Sequence, residues 1–171
     1  MIDEDVAAFC WRLHPVLLGG LTLHCRDRSV AEEVTQETLV RVWERWPSPD
    51  PARGSRDAWA WRVALNLTAS RFRRRAVEQR ARARLEGWAG ASPGAPSDEA
   101  DRLAVQAAVA DLPDRQRSAL VLRFYADLSI AQTAEVLGCA EGTVKSLTNK
   151  AVAGLRRRLG DETLVEVVDH A

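Results

Sequence analysis

The sequence predicts an all-α protein made of two small helical domains joined by a linker. Strand signals are nearly absent, because no run of β-branched residues alternates with polar residues between turn signals. The segment GWAGASPGAPSDEA is rich in Gly, Ala, Ser and Pro, which predicts a flexible linker between helical parts. Apolar residues elsewhere recur at helical spacing and predict helices over 3–24, 29–46, 57–85, 101–111, 115–126, 129–137 and 141–159.

These features divide the chain into an N-terminal domain over 1–86, the linker over 87–100, a C-terminal domain over 101–160 and an acidic tail over 161–171. Fully extended, the linker reaches roughly 46–50 Å, which is enough for the two domains to occupy distant sites on one partner. The tail indicates no clear function, and a fraying helix end or a packed cap is the default expectation.

Charge lies in blocks along a chain whose formal net charge is zero. Residues 53–86 hold 10 basic and 3 acidic groups, and residues 115–160 hold 8 and 3. The remaining blocks, 1–52, 87–114 and 161–171, are each net −4. Two basic blocks beside acidic ones indicate two surfaces for polyanions, and two solvated helix faces are the plainer alternative.

The sequence gives no support to an enzymatic function. It has no Gly-rich phosphate loop and no Ser/His/Asp or Cys/His arrangement, so no catalytic residue and no cofactor are predicted. Cys10, Cys25 and Cys139 form no CxxC pair, and no metal is predicted, although a site shared with His14 and His24 is the weaker alternative. We find no 18-residue apolar run and no signal segment, which predicts a cytoplasmic protein without membrane contact.

The C-terminal domain carries a helix–turn–helix pattern. Ser129, with Gln132 three residues later, forms a capping box, and Gly138 suits the left-handed turn after the short helix. On the next helix, steps of about 100° per residue define two opposite arcs. The arc predicted to pack inward contains Val144, Leu147, Thr148, Ala151 and Leu155. The other is short, polar and basic, fits the major groove of DNA, and contains Lys145, Ser146, Asn149 and Lys150.

The run LPDRQRSALVLRFYADLSIAQTAEVLGCAEGTVKS closely resembles the promoter-recognition domain of extracytoplasmic-function (ECF) sigma factors, in particular the small actinobacterial set often labelled SigE-like. Ala140 departs from the family pattern, which usually has an N-cap such as Ser there, and this substitution costs about 1 kcal/mol of helix stability. Leu147 stands where many relatives carry a basic or polar residue. The resemblance implies that the minus-thirty-five element is read by Glu141, Gly142, Thr143, Lys145, Ser146, Asn149 and Lys150.

In the N-terminal domain, the stretch VAEEVTQETLVRVWERW resembles the sigma segment that docks on the clamp helices of RNA polymerase. Without the resemblance, its polar ridge would be ordinary solvated surface. With it, the candidate polymerase contacts are Glu33, Gln36, Glu37 and Arg41. The packed side of the same helix is predicted to contain Leu39, Val42, Trp43 and Trp46.

The stretch DAWAWRVALNLTASRFRRR resembles the sigma helix that reads and opens the minus-ten element. Trp59 and Trp61 belong to the family pattern and are predicted to be core residues. Base and backbone contacts on one helix face are implied for Arg62, Asn66 and Ser70. Cations for DNA phosphates are implied for Arg71, Arg73, Arg74 and Arg75. The preceding loop, over 47–56, corresponds to the base-capturing loop of the family.

Together, the two motifs cover residues 9–76 and 111–160 and imply a sigma factor that binds core RNA polymerase and directs it to promoters. The implied partners are core RNA polymerase, promoter DNA and, as in many relatives, an anti-sigma factor. The alternative from another class is a helix–turn–helix regulator with an N-terminal sensing or interaction domain, which binds duplex DNA unaided, usually as a dimer. Such a regulator has no use for the docking and melting motifs.

Overall fold

The computed structural model describes residues 5–46, 55–83 and 99–160, and every regular element in these ranges is helical. This confirms the predicted all-α fold. The α-helices are α1 (Val6–Cys25), α2 (Arg28–Arg45), α3 (Arg56–Ala83), α4 (Glu99–Ala110), α5 (Asp114–Leu120), α6 (Ile130–Leu137) and α7 (Glu141–Leu159). A π-helical turn, Val121–Tyr125, continues α5 and is called the π turn below. The acidic tail and most of the predicted linker and base-capturing loop lie outside the described residues.

The N-terminal bundle is formed by α1, α2 and α3. The Asp5 side chain caps α1, and α1 ends at Arg26, which adopts the left-handed conformation with a φ of 61°. Asp27 follows directly and caps α2 by accepting a hydrogen bond from the backbone N–H of Val30 at 3.2 Å. The two helices therefore meet at a tight corner, which places α2 beside α1.

Helix α1 is long and apolar enough that length and composition alone would allow it to cross a membrane. The predicted absence of an 18-residue apolar run still holds, because Arg12 and His14 interrupt the apolar residues of this helix. Core helices of soluble proteins meet the same criteria, and α1 supplies core residues. Four of its side chains are almost fully buried against α2 and α3: Phe9, Leu13, Leu17 and Leu21.

The C-terminal domain packs α4, α5 and α7 around a second, smaller core that includes Leu112, Leu120 and Leu155. Gly154 of α7 lies against Leu112, since a Cβ added there would come within 3.1 Å of the leucine Cδ2. The helix–turn–helix is formed by α6 and α7.

The two domains contact each other in this structure. Val121, Leu122, Leu128 and Val136 of the C-terminal part belong to the same buried cluster as Trp61 and the α1 core residues. The sequence had indicated a linker long enough for separate sites, and it contained no signal for this contact. The interface positions α6 and the π turn against α1 and α3.

Candidate nucleic-acid interface

The structure confirms that the predicted inner arc of α7 is buried at its centre and that the predicted outer arc is exposed. Val144 and Ala151 are fully buried and Leu155 nearly so, which anchors the helix to the rest of its domain. Leu147 and Thr148, at the edges of the inner arc, are only half-buried. All four residues of the outer arc are exposed: Lys145, Ser146, Asn149 and Lys150. This surface is polar, basic and free of bulky side chains, as a helix entering the major groove requires.

Local geometry fixes the approach of α7. The predicted capping box is confirmed: Ser129 Oγ accepts from the Gln132 N–H at 3.1 Å, and Gln132 Oε1 accepts from the Ser129 N–H at 2.8 Å. Gly138 adopts the predicted left-handed conformation with a φ of 60°. No side chain of the described residues caps α7, because Ala140 occupies the N-cap position.

The first turn of α7 is open. Glu141, Gly142 and Thr143 are exposed, and a Cβ added at Gly142 would meet nothing within 4 Å. Backbone N–H groups at an uncapped helix start favour an anion such as a phosphate oxygen.

On α3, the predicted minus-ten residues form a continuous face. Asn66 and Ser70 are exposed, and Arg62, four residues before Asn66, is half-buried. Arg73 and Arg74 are exposed farther along the helix. Trp61 points the other way and is 1% exposed, which confirms its predicted place in the core, and Trp59 is partly buried against the same cluster.

Two of the predicted DNA-binding cations are held by acids of α2 and its N-cap. Arg71 forms ion pairs with Glu33 and with Glu37, the latter at 2.8 Å. Arg75 donates to Asp27 at 2.6 Å. The hydrogen bond from Arg71 holds the pKa of the Glu37 carboxyl below its usual value, and Arg75 does the same for the pKa of Asp27. The structure thus brings predicted DNA contacts and predicted polymerase contacts together.

The surface of α2 differs from the prediction at one aromatic residue. Trp43 was expected on the packed side, but 59% of it is exposed, whereas Val42 is buried as predicted. Val40 is also 55% exposed, and Gln36, Val40 and Trp43 follow one another along one stripe at spacings of four and three residues. The centre of the candidate polymerase surface is therefore apolar, and its flank is formed by Glu33, Glu37 and Arg41.

The contact between the domains reaches the predicted minus-ten face. Arg62 Nη2 donates to Glu135 Oε1 at 2.7 Å and to the Glu135 backbone oxygen at 3.1 Å. Beside it, Gln132 Nε2 donates to Ser55 Oγ at 2.9 Å. Sequence reasoning missed Glu135 and Ser55, because partners more than 70 residues apart leave no local pattern.

Comparison with known proteins matches both halves of the chain to regions of Sigma-70 factors. The Sigma-70 region 2 family matches residues 9–78, and the Sigma-70, region 4 family matches residues 102–154. The ECF RNA polymerase sigma factor SigL of Mycobacterium tuberculosis is 36% identical over 168 residues, covering 91% of this chain and 85% of that protein. The RNA polymerase sigma-E factor of Streptomyces coelicolor is 33% identical over 134 residues, covering 75% of this chain and 71% of that protein.

Solved structures agree in fold. The sigma factor RpoE in complex with the anti-sigma factor NepR from Bartonella quintana matches with a TM-score of 0.77 and 25% identity, covering 94% of this chain and 99% of that one. CnrH in complex with the cytosolic domain of CnrY matches with a TM-score of 0.65 and 23% identity, covering 92% and 88%.

Proposed function

The chain belongs to the ECF RNA polymerase sigma factors, and from that membership we propose how its exposed surfaces divide the work of promoter recognition. As a sigma factor it binds core RNA polymerase and directs initiation at particular promoters. We assign the minus-ten element to α3, the minus-thirty-five element to α7 and polymerase docking to α2. The observation that carries this division is that each helix presents its own exposed face beside a buried stripe.

The assignment of α7 rests on its outer arc. Lys145 and Asn149 lie one turn apart on the exposed side, where a lysine can donate to guanine and an asparagine can pair with adenine. Lys150 lies at the edge of the arc, where a phosphate is the nearer target. Buried Val144 and Ala151 hold the helix in register against its own domain.

The assignment of α3 rests on Asn66 and Ser70, which are exposed one turn apart with Arg73 and Arg74 beyond them. Opening DNA requires groups that hold unstacked bases and cations that follow the displaced strand. An asparagine, a hydroxyl and two arginines on one accessible helix supply both kinds of contact.

For polymerase docking, we propose that Val40 and Trp43 form the centre of the contact and that Glu33, Gln36, Glu37 and Arg41 orient it. A large aromatic side chain at the centre of an interface typically contributes more binding energy than its rim. The acidic flank suits a basic partner, because charge complementarity sets orientation and association rate.

Two further points follow by analogy. The related RpoE of Bartonella quintana is held in a complex with the anti-sigma factor NepR, and we infer that an anti-sigma protein is a candidate partner here too. We also place the protein in the cytoplasm, where core polymerase and promoter DNA are found.

The decisive experiment is transcription in vitro with core polymerase alone and with added protein. We expect initiation from a defined set of promoters only when the protein is present. A helix–turn–helix regulator would instead bind duplex DNA tightly as a dimer without polymerase, and that outcome would replace the sigma assignment.

A further inference from the structure

We propose that the free chain masks the Arg62 end of its own minus-ten face: α6 and the π turn dock on α1 and α3, while α7 stays open to duplex DNA. Asn66 and Ser70 stay exposed in this state, so the melted minus-ten strand would be bound only weakly, without Arg62, until the two domains separate. The inference rests on the proposed roles of α3 and α7. It concerns contacts within one chain, so it needs no inhibitory partner.

The first element of the mask is polar. The Arg62 side chain is 39% exposed and directs Nη2 at both the carboxylate and the backbone oxygen of Glu135. A hydrogen bond from a guanidinium to a carboxylate is stronger than one between neutral groups. The Nη2 donors of Arg62 are thus engaged by α6, and a base or phosphate would have to displace Glu135 to reach them.

The second element is a close approach of the π turn to α1. A Cβ added at Gly19 would lie 1.8 Å from Tyr125 Oη and 2.6 Å from its Cζ. At Gly20, an added Cβ would lie 2.6 Å from Trp61 Cη2 and 3.1 Å from Val121 Cγ1. Two successive glycines therefore leave room on α1 for side chains of the other domain. This fit belongs to the closed state, since Tyr125 and Val121 leave α1 when the domains separate.

The third element joins the end of α1 to α5. His24 Nε2 lies 3.0 Å from Ser118 Oγ, and Arg117 Nη1 donates to the His24 backbone oxygen at 3.0 Å. His24, Ser118 and Arg117 are all buried. Buried polar groups are stabilised by such partners, so the arrangement specifies one docking geometry and opposes sliding of the domains.

The mask is asymmetric, which makes it testable. The outer arc of α7 takes no part in the contact and remains exposed, whereas Arg62 is half-buried and bound to Glu135. We therefore expect the free protein to bind a minus-thirty-five duplex with the full affinity of its C-terminal domain. Its affinity for a minus-ten single strand should be lower than that of the open state, and the smaller the open fraction, the lower the affinity.

The test uses two opening variants with matched controls in the full-length chain. Gly19→Leu adds a side chain where Tyr125 lies, and it favours helix α1 by propensity, so the bundle should stay folded. Its control, Ala7→Leu, adds the same side chain at an exposed position of the same helix. Glu135→Gln removes the acceptor charge for Arg62, and its control, Glu32→Gln, removes one exposed charge that pairs with Arg28.

Small-angle X-ray scattering measures opening, and fluorescence anisotropy measures binding to two probes taken from one promoter selected with holoenzyme. The probes are the minus-thirty-five duplex and the non-template minus-ten oligonucleotide. We expect a larger radius of gyration for Gly19→Leu and minus-ten affinity raised at least about fivefold, which corresponds to an open fraction in the wild type of about a fifth or less. Glu135→Gln should move both quantities in the same direction, less strongly. The affinity of both opening variants for the duplex should equal that of the wild type. Both control variants should have the wild-type radius of gyration and wild-type affinities for the two probes.

Two results would overturn the proposal. One is a wild-type radius of gyration equal to that of Gly19→Leu, which would mean that the free chain is not closed. The other is an expanded Gly19→Leu protein whose minus-ten affinity is unchanged, which would mean that closure does not mask this face. Scattering involves no DNA, so a wrong assignment of α3 would show separately, as an unimpaired Asn66→Ala holoenzyme.

Discussion

Arg71 of α3 donates to Glu37 of α2 at 2.8 Å and also pairs with Glu33. Arg71 is a predicted DNA contact, and the two acids that bind it are predicted polymerase contacts. The pairing ties the helix proposed to meet the promoter to the helix proposed to meet the polymerase. It also separates Arg71 and Arg75, which pair with acids of α2 and its N-cap, from Arg73 and Arg74, which are exposed. Arg74 pairs with Glu78 of its own helix, at 4.0 Å.

This separation predicts different effects of arginine substitutions. Replacing Arg73 and Arg74 together by Ala should lower the salt slope of promoter binding by about 1.8, at about 0.9 per lost phosphate contact. Arg71→Ala should leave the slope nearly unchanged and lower the free energy of unfolding by up to about 1 kcal/mol, as expected for a partly exposed ion pair. Holoenzyme binding across a salt series and urea unfolding of the free protein measure the two effects. An equal loss of slope in both variants would contradict the separation.

Asn66→Ala should impair open-complex formation and leave polymerase affinity intact. Asn66 is exposed on α3, so the fold should not change. If its amide holds an unstacked base, the loss should be smaller on a template that is already melted at the minus-ten element. Permanganate footprinting on duplex and premelted templates measures this. A defect of equal size on both templates would exclude a role in melting.

How far the sequence predicted the site is clearest on α2. The buried arc of α2 includes Thr35 and Thr38, two polar residues that the predicted packed side did not contain. Thr38 can be buried because its hydroxyl donates to the Val34 carbonyl at 2.7 Å within the same helix. With two threonines inside, the arc is rotated relative to an apolar pattern, and Trp43 turns outward.

Local signals were sufficient for the helix–turn–helix. The capping box at Ser129 and the left-handed turn at Gly138 depend on residues within a few positions of each other. The contact of Arg62 with Glu135 joins residues 73 positions apart and has no local signature. The domain packing, and with it the covering of part of the minus-ten face, required the three-dimensional structure.

Trp43→Ala should weaken core-polymerase binding by about 2 kcal/mol, roughly 30-fold, as expected for an aromatic residue at the centre of an interface. The exposed position means that the free energy of unfolding should hardly change. Val42→Ala is the matched control. The Val42 side chain is next in sequence to Trp43 but only 1% exposed, so its truncation should lower the free energy of unfolding and leave polymerase affinity unchanged. Surface plasmon resonance with immobilised core polymerase, together with thermal unfolding, separates the two. A folded Trp43→Ala protein with wild-type affinity would remove the apolar stripe from the docking surface.

The buried position of His24 predicts that the free energy of unfolding falls at acidic pH. Burial, with a smaller contribution from the positive charge of Arg117, lowers the pKa of His24 to about 4, and Asp114 opposes this only in part. Its Nδ1 is buried without a hydrogen-bond partner in the described part of the chain. Because the folded-state pKa lies below the unfolded value of about 6.5, stability is complete above that pH and falls between about 6.5 and 4.

Between pH 7.5 and 5, the His24 contribution should therefore reduce the free energy of unfolding by about 2 kcal/mol. His24→Asn should lose less stability than the wild type over this interval, even if it is less stable at neutral pH. His14→Asn, at an exposed position of the same helix, is the control and should follow the wild type. Urea unfolding at the two pH values measures the difference. Parallel curves for wild type and His24→Asn would contradict a buried neutral histidine.

The reading surface of α7 predicts two kinds of defect in promoter selection. Lys145 and Asn149 lie on the exposed arc where base edges are within reach, and each base contact contributes about 1–3 kcal/mol of discrimination. Lys145→Ala and Asn149→Ala should therefore relax preference at particular minus-thirty-five positions, whereas Lys150→Ala should weaken all sequences alike and lower the salt slope. Selection from a promoter library with each holoenzyme, sequenced before and after binding, measures both. If the first two variants keep the wild-type preference and lose only overall affinity, they position the helix and other groups read the bases.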